Sequence, residues 1–294
     1  MSLQSGYSCV TLTIINGHLQ IKTRKGIGLT LLTSAQRGPL KTVGREQMGT
    51  ERQKREDAFA PIFISGDEQI PHDVPFHKRE VYRYLMAREG ADETTDRLVK
   101  ECMQEIRRIA RYQYVYRQAK IASTDSSIFF EGVTFELPGK DIHKHLAHCD
   151  YAVVMAVTLG IKVEQVIRYY SRSDLTRGVL LDACATALVE ALCDDVQEKV
   201  RQLAEEAGYF ITPRWSPGYG DLPLTVQAPL LDYLNAFRRI GLYLSESSIL
   251  LPRKSVSAII GVTKEKREPR RRCSRCHLFE TCRFSREGEA GCAR

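Results

Sequence analysis

Apolar residues recur at Leu98, Cys102, Ile106 and Ala110, every fourth position, which predicts one face of an amphipathic helix with Asp92 placed to cap its start. Residues 77–87 form a shorter helical stretch ended by Gly90, so the two read as a helical hairpin. Residues 128–137 alternate through Val133, Phe135 and Leu137. Residues 151–159 are a continuous apolar run rich in Val and Ala, the pattern of a strand buried on both faces. Helical spacing returns over residues 161–170. Asp174 then opens the longest predicted helix, which runs to Ala207 before Gly208 closes it. Its first half is apolar on most sides, through Leu180, Leu181, Ala183, Cys184, Ala187, Leu188, Ala191 and Leu192, and is expected at the centre of the core. Glu190 interrupts that surface. A carboxylate there must lie on a narrow polar edge or face a cavity with a cationic partner, because an unpaired buried charge is costly. Residues 230–240 predict one more helix, stopped by Gly241, and residues 242–251 and 255–262 are rich in β-formers. Helices and strands do not alternate in βαβ fashion. The expected class is therefore α+β, with helices packed around a largely antiparallel twisted sheet.

The first 75 residues follow no such pattern. β-prone clusters at 10–15 and 29–32 sit among Gly, Lys, Arg and Gln, and residues 67–75 carry two prolines. We expect a disordered basic extension over 1–75, with a docking arm as its functional reading and Met48 as an alternative start. With 294 residues and 43% hydrophobic content, the chain can bury a substantial core, assigned to residues 76–262. The formal charge of +7 is concentrated in residues 22–55 and 264–272, so it does not form one organised nucleic-acid footprint. Within the basic C-terminal tail only Phe279 and Phe284 offer bases a stacking partner, which ranks nucleic-acid binding last. No run approaches the ~18 apolar residues of a membrane helix, and the N-terminus lacks a charged leader followed by an apolar core. A cytoplasmic protein is expected.

The densest chemistry lies in Thr212-Pro213-Arg214-Trp215-Ser216-Pro217-Gly218-Tyr219-Gly220. Two prolines stiffen the loop, and Gly218 lets a ligand approach the main chain. Arg214 suits bidentate grip of a carboxylate, and Tyr219 offers a flat face with a hydroxyl. A rigid turn with a surface arginine is the plainer reading of the same residues.

The Arg214-x-x-Pro217-Gly218-Tyr219 run, the later Leu244-Ser245-Glu246-Ser247 and the Ser255-Val256-Ser257 strand, in that order, resemble the reactivation domain of cobalamin-dependent methionine synthase. In that family the domain binds S-adenosylmethionine and presents its methyl group to a cobalamin that has drifted to the inactive Co(II) state. The resemblance implies that Arg214 holds the methionine carboxylate, that the Ser216 and Gly218 main chain and Tyr219 contact the ligand, and that Glu190 sits near its positive end. It covers residues 76–262 in layout and is specific between 212 and 261. Past the Ser255–Ser257 strand the family has a further strand carrying aromatic residues, whereas this chain turns into Lys264-Glu265-Lys266-Arg267-Glu268-Pro269-Arg270-Arg271-Arg272. Nothing in the chain resembles the substrate-binding barrels or the cobalamin-carrying module. The resemblance therefore implies a reactivation domain acting on a separate cobalamin-binding methionine synthase or related corrinoid protein, with an electron donor as a further partner. A docking module for a corrinoid protein that does not use S-adenosylmethionine is the alternative.

Two cysteine and histidine clusters remain. Asp141-Ile142-His143-Lys144-His145-Leu146 begins like the Asp-x-His-x-x-Gly signature by which a histidine binds cobalamin from below, but Leu146 stands where glycine is needed. Pro138-Gly139 reads as a turn and Asp141 as a helix N-cap, which spreads His143, His145 and His148 around a short polar helix. In the tail, residues 263–294, Cys273-x2-Cys276-x5-Cys282-x9-Cys292 gathers four of the nine cysteines in the last 22 residues. In a reducing compartment such clustering points to a metal before a disulfide. Zinc, with His277 as a substitute ligand, an iron–sulfur cluster and an unmetallated thiol tail are all consistent with the spacing. Only a cluster would carry an electron. Cys102, Cys149, Cys184 and Cys193 are spread singly and read as ordinary buried thiols.

Overall fold

The structure, a computed structural model, describes the strands Thr11–Ile15 and His18–Lys22 and, within residues 62–266, all positions except 86, 88–91, 124–126, 132 and 134. The first two strands, β1 (Thr11–Ile15) and β2 (His18–Lys22), pair antiparallel with Ile15 opposite His18, and they belong to a unit of their own, residues 1–53.

The second unit is built on one antiparallel sheet. Its strands are β3 (Phe63–Glu68), β4 (Tyr112–Ser123), β5 (Ile128–Phe130), β6 (Glu136–Leu137), β7 (Tyr151–Thr158), β8 (Phe210–Ile211) and β11 (Ser255–Thr263). They lie in the order β6-β5-β4-β7-β11-β8, with β3 pairing along the first half of β4, Glu68 opposite Tyr112. The short strands β9 (Tyr243–Leu244) and β10 (Leu250–Leu251) make a separate pair. Seven α-helices are present among the described residues: α1 (Lys78–Tyr84), α2 (Glu93–Ile109), α3 (Lys140–Leu146), α4 (Ile161–Ser173), α5 (Leu175–Glu206), α6 (Gln227–Leu234) and α7 (Ala236–Ile240). This is the expected α+β class. No helix among the described residues is long and apolar enough to cross a membrane.

Both faces of the sheet are covered, which explains why β7 reads as an unbroken apolar run. Val153, Met155 and Val157 of β7, with Ile260 of β11, point into a core shared with α1, α2, α4 and α5. Val154 and Ala156, with Ile259 of β11, point the other way into a second core closed by α3, α6 and α7. Helix α5 is the main element of the first core. Asp174 caps it by accepting a hydrogen bond from the Arg177 N–H at 3.0 Å, and Leu181, Cys184, Leu188, Leu192, Val196 and Ala204 are fully buried along it.

Four expectations are corrected. The sheet begins before residue 76: β3 lies in the stretch read as a disordered extension, and Val74 is buried in the first core. Strand β4 replaces a segment for which no element was expected. Residues 230–240 are two helices, because Asn235 adopts a left-handed φ of 51° that ends α6 and turns the chain into α7. Asp141 does not cap α3. The N–H groups of Lys140 and Asp141 donate instead to the Asp221 carboxylate, at 2.6 and 3.1 Å. Of the four scattered cysteines, Cys102, Cys184 and Cys193 are buried and Cys149 is half-buried. Cys273, Cys276, Cys282 and Cys292 lie outside the described residues.

Candidate functional site

The loop from Thr212 to Gly220 leaves β8 and runs along the edge of β11. Thr212 anchors it: its N–H donates to the Gly261 carbonyl at 2.8 Å, and its Oγ1 accepts from the Gly261 N–H at 2.8 Å. Trp215 repeats the pairing further along, exchanging two 2.9 Å backbone hydrogen bonds with Ile259. His145 of α3 reaches across, with Nε2 2.9 Å from both the Pro213 carbonyl and Thr212 Oγ1 and its ring stacked at a tilt against Trp215. The Trp215 indole N–H is buried and has no hydrogen-bond partner among the described residues.

Between these anchors, Arg214 turns inward onto α5. Its Nη1 donates to Asp194 at 2.7 Å, its Nη2 donates to Glu190 at 3.3 Å, and its backbone N–H donates to the Gln197 side chain at 3.3 Å. The Arg214 side chain is only 11% exposed, against 26% for Glu190 and 35% for Asp194. Burial works against the charge on Arg214. The neighbouring Cys193, Asp194 and Glu190 outweigh it and hold the guanidinium above its usual pKa, so it stays cationic. Glu190 thus has the cationic partner that its apolar setting demanded.

The second half of the loop is a compact turn. The Tyr219 N–H donates to the Ser216 carbonyl at 3.1 Å, and the Gly218 N–H donates to the Leu222 carbonyl at 2.7 Å. Gly218 has φ of 90°, a backbone conformation that favours glycine, and a Cβ there would stand 3.1 Å from the side chain of Leu224. That N–H is used within the turn. Tyr219 is 56% exposed at the tip. The far end of the loop is fixed by Asp221 at the start of α3. Desolvation pushes the Asp221 pKa up, but the N–H groups of Asp141 and Lys140 outweigh it and hold the carboxyl below its usual value.

The structure therefore brings Arg214 and Glu190 together and places Ser216, Gly218 and Tyr219 on the adjoining turn. Sequence reasoning missed Asp194, Gln197, His145 and Asp221. Asp194 alone left a trace, since it follows Glu190 by one helical turn and shares its face.

The Arg-x-x-Pro-Gly-Tyr loop thus packs against the central helix α5 through Asp194 and Glu190. Residues 141–268 match the family described as vitamin B12 dependent methionine synthase, activation domain, which bears out the resemblance carried by Arg214, Gly218 and Tyr219. The fold is that of a solved structure titled as the MetH reactivation domain bound to AdoHcy, with a TM-score of 0.55, 16% identity, and coverage of 71% of this chain and 80% of that one. No curated protein matches the sequence.

Proposed function

We propose that this protein binds S-adenosylmethionine at the Arg214 loop and serves the reductive remethylation of cob(II)alamin carried by a separate methionine synthase or related corrinoid protein. The observation that carries this reading is the nearly buried Arg214 guanidinium, facing Glu190 from a loop inside the matched segment. Arg214 is suited to a carboxylate, and Glu190, on the longer of the two Arg214 contacts, is the partner more easily released toward a positive group. Tyr219 at the loop tip supplies an exposed aromatic face. When bound, the ligand supplies a methyl group whose sulfonium already carries the reactive charge, so this chain needs only to hold and orient it. No general acid or base is assigned.

A second reading is a docking module that does not use S-adenosylmethionine. It is favoured by the internal satisfaction of the site, where Asp194 and Glu190 occupy both terminal nitrogens of Arg214 and Leu222 occupies the Gly218 N–H. Calorimetric titration of the full chain with S-adenosylmethionine separates the two. The methyl-donor reading predicts saturable binding that an Arg214→Ala variant weakens by about ten- to a hundredfold, since charge-assisted pairs are worth ~1.5–3 kcal/mol. Absence of binding by the intact protein leaves the docking module.

We also propose that Cys273, Cys276, Cys282 and Cys292 hold zinc or an iron–sulfur cluster, the latter giving an electron a route toward the partner's cobalt. Elemental analysis of protein purified without oxygen is expected to find stoichiometric zinc or iron. Finding neither removes the metal from this account.

A further inference from the structure

We infer that the outer edge of β3 is a docking site for an extended acidic segment of a partner protein, which joins the sheet as one more strand. Among the described strands β3 pairs with β4 alone. The Gln118 N–H donates to the Ile62 carbonyl at 2.9 Å, and bonded residues alternate along an antiparallel ladder. Ile62, Ile64, Gly66 and Glu68 therefore turn their main-chain groups toward β4. Those of Phe63, Ser65 and Asp67 point away from it, and among the described residues nothing bonds to them. A row of open amides and carbonyls is a template for a further strand. Exposed edges are usually guarded by lysine, proline or a bulge, yet Phe63-Ile64-Ser65-Gly66 has none of these and its register is unbroken. Phe63 and Ile64 are each 37% exposed.

Charge selects the occupant. The acids of β3 are already matched, Asp67 with Arg111 and Glu68 with Lys199 at 3.0 Å. The cations at the other end of the strand are not. Arg239 of α7 lies 3.7 Å over the Phe63 ring and donates to Ser65 Oγ at 3.0 Å. Arg117 lies 5.1 Å from the same ring and donates to the Tyr233 carbonyl at 3.0 Å. Neither arginine has a carboxylate partner among the described residues. Both stand on the sheet face to which Phe63 and Ser65 point. A residue added opposite Ser65 shares that face, so a carboxylate there meets Arg239, and an aromatic residue opposite Phe63 packs beside its ring. In the antiparallel sense used throughout this sheet, the segment reads acid-x-aromatic. The basic stretches 22–55 and 264–272 of this chain carry the wrong sign. A second copy paired across Ser65 would set two Arg239 side chains against each other.

The probe is a blocked, fluorescently labelled peptide, Thr-Val-Glu-Val-Phe-Val-Thr, compared with its relative carrying Lys in place of Glu. Each is titrated with the full chain and read by fluorescence anisotropy. The glutamate peptide is expected to bind saturably and about three- to tenfold more tightly than the lysine peptide, a gap that added salt narrows. Arg239→Glu is expected to reverse that order. Ser65→Pro removes an outward amide proton and no bond to β4, so it is expected to lose both peptides while keeping the wild-type circular dichroism and thermal midpoint. If the proline variant does not fold, the reversal by Arg239→Glu decides alone. Failure of the intact chain to bind either peptide, equal binding of the two, or an order that Arg239→Glu leaves unchanged overturns the inference. A concentration-dependent dimer in sedimentation that Ser65→Pro abolishes assigns the edge to a second copy and overturns it too. None of these readings involves S-adenosylmethionine or the Arg214 loop, so the result is independent of the proposed function.

Discussion

A Gly261→Val variant is expected to lose several kcal/mol of stability and to bind ligand poorly, because the loop is built against the missing side chain of this glycine. A Cβ at Gly261 would stand 2.5 Å from Cys149 Sγ and 3.0 Å from side-chain carbons of both Leu146 and Thr212. Valine adds two further carbons to the same crowded point. Overpacking of this kind costs about 1–3 kcal/mol, and more where the neighbours cannot move. Here they cannot move independently. Thr212 is tied to Gly261 by a reciprocal pair of 2.8 Å hydrogen bonds, and Leu146 is buried in the second core. The variant must push out α3, the loop, or both. Urea unfolding is expected to show a lower midpoint with an unchanged slope, and Gly261→Ala an intermediate loss. Equal stability of the valine variant and the wild type would mean that the loop does not rest on β11 as described.

Alkaline pH is expected to unfold the protein cooperatively. Burial pushes the Cys102 thiol up to about 11 and the Tyr116 phenol up to about 12. It also raises Cys184, and it raises Tyr112, where the hydrogen bond to Asp195 at 2.6 Å adds to the effect. All four side chains are essentially inaccessible in the native state. A group whose folded pKa is raised contributes stability that is intact below its unfolded pKa and is lost as pH climbs toward the folded one. Thiols in the unfolded chain ionise near pH ~8.5 and phenols near pH ~10. Each group therefore withdraws up to about 1.4 kcal/mol per pH unit above those values. Two thiols followed by two phenols exceed the typical stability of a domain, about 5–15 kcal/mol, within a few units. Tyrosinate absorbance is expected to rise in one step together with the loss of helical circular dichroism, between about pH 10 and 12. A gradual phenol titration with helicity retained would show that these side chains are not held as described.

The elements that were legible in the sequence are those whose signal is local. The apolar run of β7, the Asp174 cap and Gly208 stop of α5, and the fourfold spacing in α2 each follow from the chemistry of adjacent residues. Strand β4 was not legible, because its polarity misleads. Tyr112, Tyr114 and Tyr116 face the first core, while Arg117 faces the other way among aromatic rings, 5.1 Å from Phe63 and 4.2 Å from Tyr233, and donates to the Tyr233 carbonyl at 3.0 Å. A charge in mid-strand argues against a buried strand until those distant rings are known to receive it. The first strand of this sheet, β3, escaped for a related reason: it is short and largely exposed, and its partner was itself unseen.

At the candidate site the division is similar. Arg214, Gly218 and Tyr219 advertise themselves by composition, and Glu190 by being a carboxylate in an apolar helix. Which groups they meet depends on contacts across wide stretches of chain. Asp221 caps a helix that starts 81 residues earlier, and His145 reaches a loop 68 residues later. No local pattern encodes those pairings. The clearest expression of this is the start of α3, where local reasoning placed the cap at Asp141 and the structure places it at Asp221.

That distant cap makes the first two amides of α3 a built-in gauge of the loop. The protons on Lys140 and Asp141 are held by a carboxylate at the end of the loop from Thr212 to Gly220, so their exchange with deuterated solvent reads the position of the turn. Tightening of the turn would slow both together, and a turn lifted from its seat would release both.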